Sequence, residues 1–201
     1  MKILMIGTTG AIGKQVLKEL QGRKHEVITA GRNSGHMRVD ITDSASIEKL
    51  YQTVGNIDAV VVTAGSSPMK SFQQLQESDV MEAIHSKLMG QVNVVLKGQH
   101  YLNDKGSFTL TSGILADEPA RGTVAGAVVS GAVNSFVVGA ATELQRGLRI
   151  NVVSPGLAEN SADDIGHLFP GFNPVPMRRL INAYLRSVEG VITGQVIRVH
   201  E

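Results

Sequence analysis

Apolar residues recur along this chain in short runs rich in Ile and Val, set apart by longer stretches of mixed polarity. The runs from Lys2 to Ile6, Glu26 to Ala30, Met37 to Asp40, Ile57 to Thr63, Gly106 to Thr111, Arg149 to Val153 and Gln195 to Val199 have the length and composition of strands. Between most of them lie helix-length segments, from Ile12 to Leu20, Ser44 to Thr53, Asp79 to Gln99 and Thr123 to Gln145. Strands alternating with helices predict parallel pairing, right-handed crossovers and a sheet covered on both faces. The expected class is α/β, a doubly wound parallel sheet of about seven strands. No internal period and no Pro, Ser or Gly run marks a boundary, so residues 1–201 read as one domain, with a short substrate-side cap segment near 158–189.

In such a sheet ligands bind outside the carboxyl ends of the strands, where strand order reverses. The first strand-to-helix turn reads KILMIGTTGAIGK, with glycines at 7, 10 and 13. Gly7 allows a tight turn off the strand, Gly10 lets backbone approach a pyrophosphate, and Gly13 lets the helix pack close to the sheet. The unpaired N–H groups opening that helix then face the phosphates, with Thr9 and Ile12 in the same turn. A glycine triplet also serves plain turn geometry, but this one follows a strand and opens a helix, the context a Rossmann-type dinucleotide site requires. Arg32, followed by Asn33, stands 19 residues after Gly13, where a binder of NAD carries a carboxylate for the ribose 2′-hydroxyl. A guanidinium there suits a 2′-phosphate, which favours NADP over NAD. The other reading of Arg32 is a solvated loop arginine.

Composition narrows the field. The 201 residues include no cysteine, which excludes thiolate catalysis, Cys-based zinc sites and disulfides, and no metal site is expected. A formal net charge of +1 gives no footprint for nucleic acid or an anionic membrane, and no basic run changes this. The opening run from Met1 to Gly7 is too short for a signal-peptide core or a membrane span, so a cytoplasmic location is expected.

The order GTTGAIG, AGR, VDITD, VVTAG, TSG, NVVSPG and ITGQV resembles the short-chain dehydrogenases/reductases over essentially the whole chain. The resemblance implies the strand order 3-2-1-4-5-6-7, a bound nicotinamide dinucleotide, and a homodimer or homotetramer. It also implies that Asp40 and Ile41 flank the adenine, that Ala64 and Gly65 lie behind the adenosine ribose, and that Pro155 and Gly156 line the nicotinamide. Read as residues alone, Asp40 is a turn residue and Pro155-Gly156 ends a strand. Asn160 or Ser161 stands where the family often has a threonine bonded to the carboxamide. The glycine spacing departs from the family's common Gly-x-x-x-Gly-x-Gly and is closer to its extended and atypical branches.

The catalytic set departs further. Ser112 fits the family's serine, or is an ordinary hydroxyl at a strand end. Gly126 falls where the family has its tyrosine, Ser130 where it has its lysine, and Lys87 where it has its asparagine. Losing a positioned general acid costs ~10²- to 10⁴-fold in rate. The string from Tyr101 to Lys105 matches a Tyr-x-x-x-Lys spacing, but it precedes a strand and so lies at the amino edge of the sheet, away from the chemistry. Tyr51 lies at the same edge, and Tyr184, in the cap segment, is the least excluded substitute. Lys87 is the one polar change that can compensate, by holding the ribose or donating a proton beside Ser112; its other reading is a helix lysine that snorkels to solvent.

From Gly122 to Thr142 the chain carries no charge. A soluble helix of that kind is buried nearly all round. Small residues at 122, 126, 130 and 134, and again at 131, 135 and 139, offer one face to the sheet and one to a second subunit, and the small cofactor-side residues leave room for a wider cavity. The expectation is an NADP(H)-binding oxidoreductase of short-chain type, acting on a small carbonyl or another hydride acceptor through a non-standard site. The alternative is a non-catalytic NADP(H)-binding sensor or regulator.

Overall fold

The computed structural model describes residues 1–200. Among them, β1 (Lys2–Ile6), β2 (Glu26–Gly31), β3 (Met37–Arg38), β4 (Ile57–Val62), β5 (Leu102–Thr111), β6 (Arg149–Pro155) and β7 (Val196–Val199) form one parallel sheet in the order β3-β2-β1-β4-β5-β6-β7. Order reverses between β1 and β4, which pair Ile6 with Val62. The helices are α1 (Ala11–Gly22), α2 (Ser44–Val54), α3 (Glu77–Ala83), α4 (Gly90–Gly98), α5 (Val124–Glu143), α6 (Ala162–Ile165) and α7 (Met177–Glu189).

Alternation along the strands builds the two cores. Leu4, Ile6, Val60, Val62, Phe108, Leu110, Ile150 and Val152 point to one face, against Leu50 and Tyr51 of α2, Val94 of α4 and Val133 and Val137 of α5. Ile3, Met5, Ala59, Val61 and Val153 point to the other, against Val16 and Leu20 of α1 and Leu180 and Tyr184 of α7.

Three elements differ from the sequence reading. The long helix expected over residues 79–99 is interrupted: a π-helical segment, Ile84–Met89, joins α3 to α4 and carries Lys87. Strand β5 begins at Leu102, four residues earlier than expected, across a register shift against β4. Only the first half of the expected cap lies over the carboxyl edge of the sheet. Its second half is α7, whose Met177, Leu180, Ile181, Tyr184, Leu185 and Val188 are buried core. The apolar helix α5 is long enough to cross a membrane by length and composition; here Val129, Val133 and Val137 lie buried against the rest of the chain.

Candidate dinucleotide and acceptor site

The β1–α1 turn opens at the sheet's carboxyl edge, and its glycines have distinct reasons. Gly7 has φ +92, and a Cβ there would lie 2.7 Å from the Ala64 backbone nitrogen. At Gly13 a Cβ would overlap the Gly7 carbonyl and come within 2.8 Å of Thr63 Oγ1. Gly10 differs: a Cβ there would meet no heavy atom within 4 Å. Nothing inside the chain therefore requires glycine at position 10, and the space it leaves opens outward into the groove.

Two cavities adjoin that turn and share Gly10 and Thr63. One, of about 400 Å³, runs from Gly7, Thr9 and Gly10 past Arg32, Asn33 and Ser34 to Ile41, Ala64 and Gly65. The other, of about 270 Å³, is bounded by Ile12, Gly13, Thr111, Ile114, Gly156 and Phe169, together with Ser161. Phe169 and Leu157 form a small apolar cluster with Ile114 that closes this second cavity. Ser161, rather than Asn160, faces it; Asn160 donates to the Ala11 carbonyl at 3.4 Å.

At the far end of the first cavity Arg32 Nε lies 3.3 Å from Asp40 Oδ2, with the arginine side chain 64% exposed. Asp40 also accepts from the Thr42 hydroxyl at 2.7 Å and the Thr42 N–H at 3.0 Å. These Thr42 bonds, with Arg32 adding to them, hold the Asp40 carboxyl below its ordinary range. Asp40 thus turns to Arg32 and Thr42, while Val39 and Ile41 supply the apolar wall. Pro155 is buried in β6 opposite Val199, and it is Gly156 that reaches the cavity.

The residues at the family's catalytic positions lie apart from the lining of both cavities. Lys87 Nζ donates to the Ser112 carbonyl at 2.8 Å. Lys87 is half-buried as a residue, and desolvation of its ammonium end pushes the amine down to about 8. Ser112 is 3% exposed and Ser130 fully buried, and neither hydroxyl has a hydrogen-bond partner among the described residues. Ser112 and Lys87 line neither cavity. At Gly126 the expected widening is absent: a Cβ would meet Leu115 Cδ1 at 2.9 Å and Ser67 Oγ at 3.0 Å, so these two side chains fill the tyrosine's place.

No tyrosine substitutes. Tyr184 is fully buried with its hydroxyl 2.7 Å from Thr111 Oγ1, and burial raises its pKa far above the ordinary phenol value, making it a weaker proton donor. Tyr101 donates to Glu48 at 2.6 Å at the opposite edge, stacked on Tyr51.

Sequence reasoning missed Gln91. Its buried amide accepts from Thr111 N–H at 2.8 Å and donates to the Thr111 carbonyl at 2.9 Å and the Lys87 carbonyl at 3.1 Å. One side chain thereby fixes the π-helical segment to the strand end that carries Ser112. π-Helical insertions are frequent at functional sites. Gly65 lets the same segment come close, since a Cβ there would lie 2.9 Å from Lys87 Cα. The only signal in the sequence is a polar residue where the helix otherwise buries apolar ones.

Residues 11–175 match the family model described as enoyl-(acyl carrier protein) reductase. Among solved structures, protein lin1944 from Listeria innocua is 46% identical, with a TM-score of 0.97 over 99% of both chains. A small-chain dehydrogenase in complex with NADPH is 29% identical, with a TM-score of 0.87 over 99% of this chain and 96% of that one. Among curated proteins, the short-chain dehydrogenase/reductase ATR9 of Stachybotrys chlorohalonatus is 30% identical over 186 residues, covering 77% of this chain and 72% of its own. The chain spans 61% of the length of other curated relatives that it matches.

Proposed function

The chain belongs to the short-chain dehydrogenase/reductase family, and from that premise we propose that it binds NADP(H) and serves as an oxidoreductase on a small carbonyl or other hydride acceptor. The observation that carries this reading is the pair of adjoining cavities meeting at Gly10, the glycine that only an outside group requires. Backbone N–H groups opening α1 take the pyrophosphate. Arg32 takes the 2′-phosphate, since a guanidinium offers paired charged donors to phosphate oxygens. NAD, which lacks that phosphate, is the weaker ligand. The small-chain dehydrogenase described with NADPH supports the same choice.

Gly156 and Ser161, which line the second cavity, would hold the nicotinamide end of the coenzyme, which would supply hydride transfer when bound. In the reductive direction negative charge arrives on the acceptor with the hydride. The Lys87 ammonium, held by the Ser112 carbonyl while Gln91 fixes the backbone of its segment, offsets that charge and supplies the balancing proton, with an amine titrating near 8 suited to proton transfer near neutrality.

A non-catalytic NADP(H) sensor is the second reading, favoured by the filled tyrosine position and the sealed Ser112 hydroxyl. Because the chain lacks tryptophan, NADPH emission can be followed without indole background. NADPH and NADH are titrated first, and loss of the reduced form is then followed with aldehydes, ketones and quinones. Consumption with one acceptor supports the enzyme, and binding without turnover turns the reading to the sensor. Failure of either nucleotide to bind at millimolar concentration removes both. Replacing Arg32 by Asp should weaken NADPH by about 10- to 100-fold and NADH little, by loss of charged hydrogen bonds worth ~1.5–3 kcal/mol.

The assembly is proposed as a homodimer or homotetramer in the cytoplasm. Gly131 and Gly139 of α5 face open space beside the exposed Val128 and Val138, leaving an outward stripe on which a second backbone can close. Light scattering at micromolar concentration should give at least twice 21.4 kDa. Nucleic acid and membrane are not among the proposed partners.

A further inference from the structure

The corner between β5 and the short turn Ile114–Ala116 holds more polar capacity than the chain uses. Lys87 Nζ makes one hydrogen bond, and no carboxylate among the described residues lies at ion-pair distance from it. The neighbouring elements offer no countercharge. From Val124 to Thr142 α5 is uncharged; on α3, Asp79 is committed to Lys70 at 2.7 Å and the exposed Glu77 and Glu82 form no ion pair with Lys87. Ser112 Oγ and Ser130 Oγ are buried and unpartnered. Buried polar groups are paired in the great majority of cases, and an exception points to a missing water, ion or ligand.

Gly113 places the gap. Its φ of 166° and ψ of 160° are extended backbone that any residue adopts. A Cβ there would lie 3.8 Å from Ser130 Oγ and 4.0 Å from Lys87 Nζ, ordinary contacts that a methyl group tolerates. Neither conformation nor crowding therefore demands glycine. What its missing side chain leaves is a space bracketed by an ammonium and a hydroxyl. Thr111 and Ile114, two residues before and one residue after Gly113, both line the second cavity, while Gly113 itself does not.

We propose that the space at Gly113 seats an anionic oxygen of the hydride acceptor, a carboxylate oxygen next to the reacting carbonyl, so that the preferred acceptors are small 2-oxo acids held by Lys87 and Ser130. This rests on the oxidoreductase reading and names its substrate class. A desolvated ammonium without a countercharge gains most from an ionised acceptor, since charge-assisted hydrogen bonds are roughly twice as strong as neutral ones. A neutral ketone leaves the cation uncompensated.

The test uses calorimetry on the NADP⁺-saturated chain with two probes of similar shape, pyruvate and the neutral butane-2,3-dione. Pyruvate should bind at least about tenfold more tightly than the dione, the scale of one charge-assisted hydrogen bond. Gly113→Ala, which fills the space, should weaken pyruvate by about tenfold or more, and Ser130→Ala by a smaller factor. Melting curves check that both variants fold, and Ser130→Ala adds no volume if the first does not. Equal affinity for both probes, or pyruvate binding untouched by both variants, overturns the proposal. NADPH binding with turnover of neutral ketones but no pyruvate binding overturns the substrate class and leaves the oxidoreductase reading standing. If NADPH itself fails to bind, that reading fails first and this one with it.

Discussion

The first cavity, at Arg32 and Asp40, and the corner at Lys87 and Ser112 lie along one sheet edge but treat their polar groups in opposite ways. Around the first cavity almost every group is settled before a ligand arrives. Thr63 Oγ1 donates to the Gly7 carbonyl at 2.8 Å, Ser86 Oγ accepts from Ser66 N–H at 3.2 Å, and Asp40 is shared between Thr42 and Arg32. At the Lys87 corner two buried hydroxyls, of Ser112 and Ser130, have no partner and a desolvated ammonium has one. A site that grips a constant ligand through backbone and glycine geometry can be complete when empty. A site that must respond to changing charge on its substrate keeps donors in reserve, at a cost in stability of ~1–3 kcal/mol for each unsatisfied group.

The largest blow to that contrast should come from Gln91→Leu. It strips the partner from two backbone groups of Thr111 and one of Lys87. At ~1–3 kcal/mol each the loss is about 4 kcal/mol or more, a fall of roughly 8–16 °C in Tm for a chain of this size. Gly13→Ala should cost about 3 kcal/mol, because the added Cβ overlaps fixed backbone. Gly10→Ala should leave Tm within about 1 °C yet weaken NADPH by about tenfold or more, separating a glycine needed by the chain from one needed by its ligand.

Lys87→Met sharpens the comparison in the other direction. The unfolded amine titrates near 10.5 and the folded one near 8. Between those values the unfolded chain holds the proton and the folded chain does not, so this group makes stability rise with pH through that window. Below about pH 8 the fold carries the full cost of the desolvated ammonium. The methionine variant should therefore be more stable at pH 7, by on the order of 1–3 kcal/mol, with the gain shrinking as pH climbs toward 10.5. Urea unfolding at pH 7 and pH 10 checks this, and an equal gain at both sinks it.

The parts of the fold set by local periodicity were legible. Strand alternation and the glycine turn on β1 gave the sheet and its switch point, because side chains there face fixed sides of a pleat. The stripe through Met177, Leu180, Ile181, Tyr184, Leu185 and Val188 was equally present, yet prolines just before it drew the whole segment into the cap. The π-helical segment was not legible, since one inserted residue per turn changes no residue type. The filled tyrosine position was also hidden: Leu115 and Ser67 reach Gly126 from two different strand-end loops, and only the sheet order brings those loops together. The Arg32–Asp40 pair likewise depends on β2 and β3 being neighbours.

The close approach of Gly65 to the backbone of Lys87 carries a kinetic consequence. The loop of Ala64 and Gly65, which walls the first cavity, and the segment presenting the lysine touch with no side chain between them to act as a cushion. On the proposed function, settling of that loop around the coenzyme would be passed to the Lys87 segment, and the expected order is coenzyme first in and last out. Steady-state inhibition by the oxidised coenzyme should accordingly be competitive against its reduced form and noncompetitive against the second reactant.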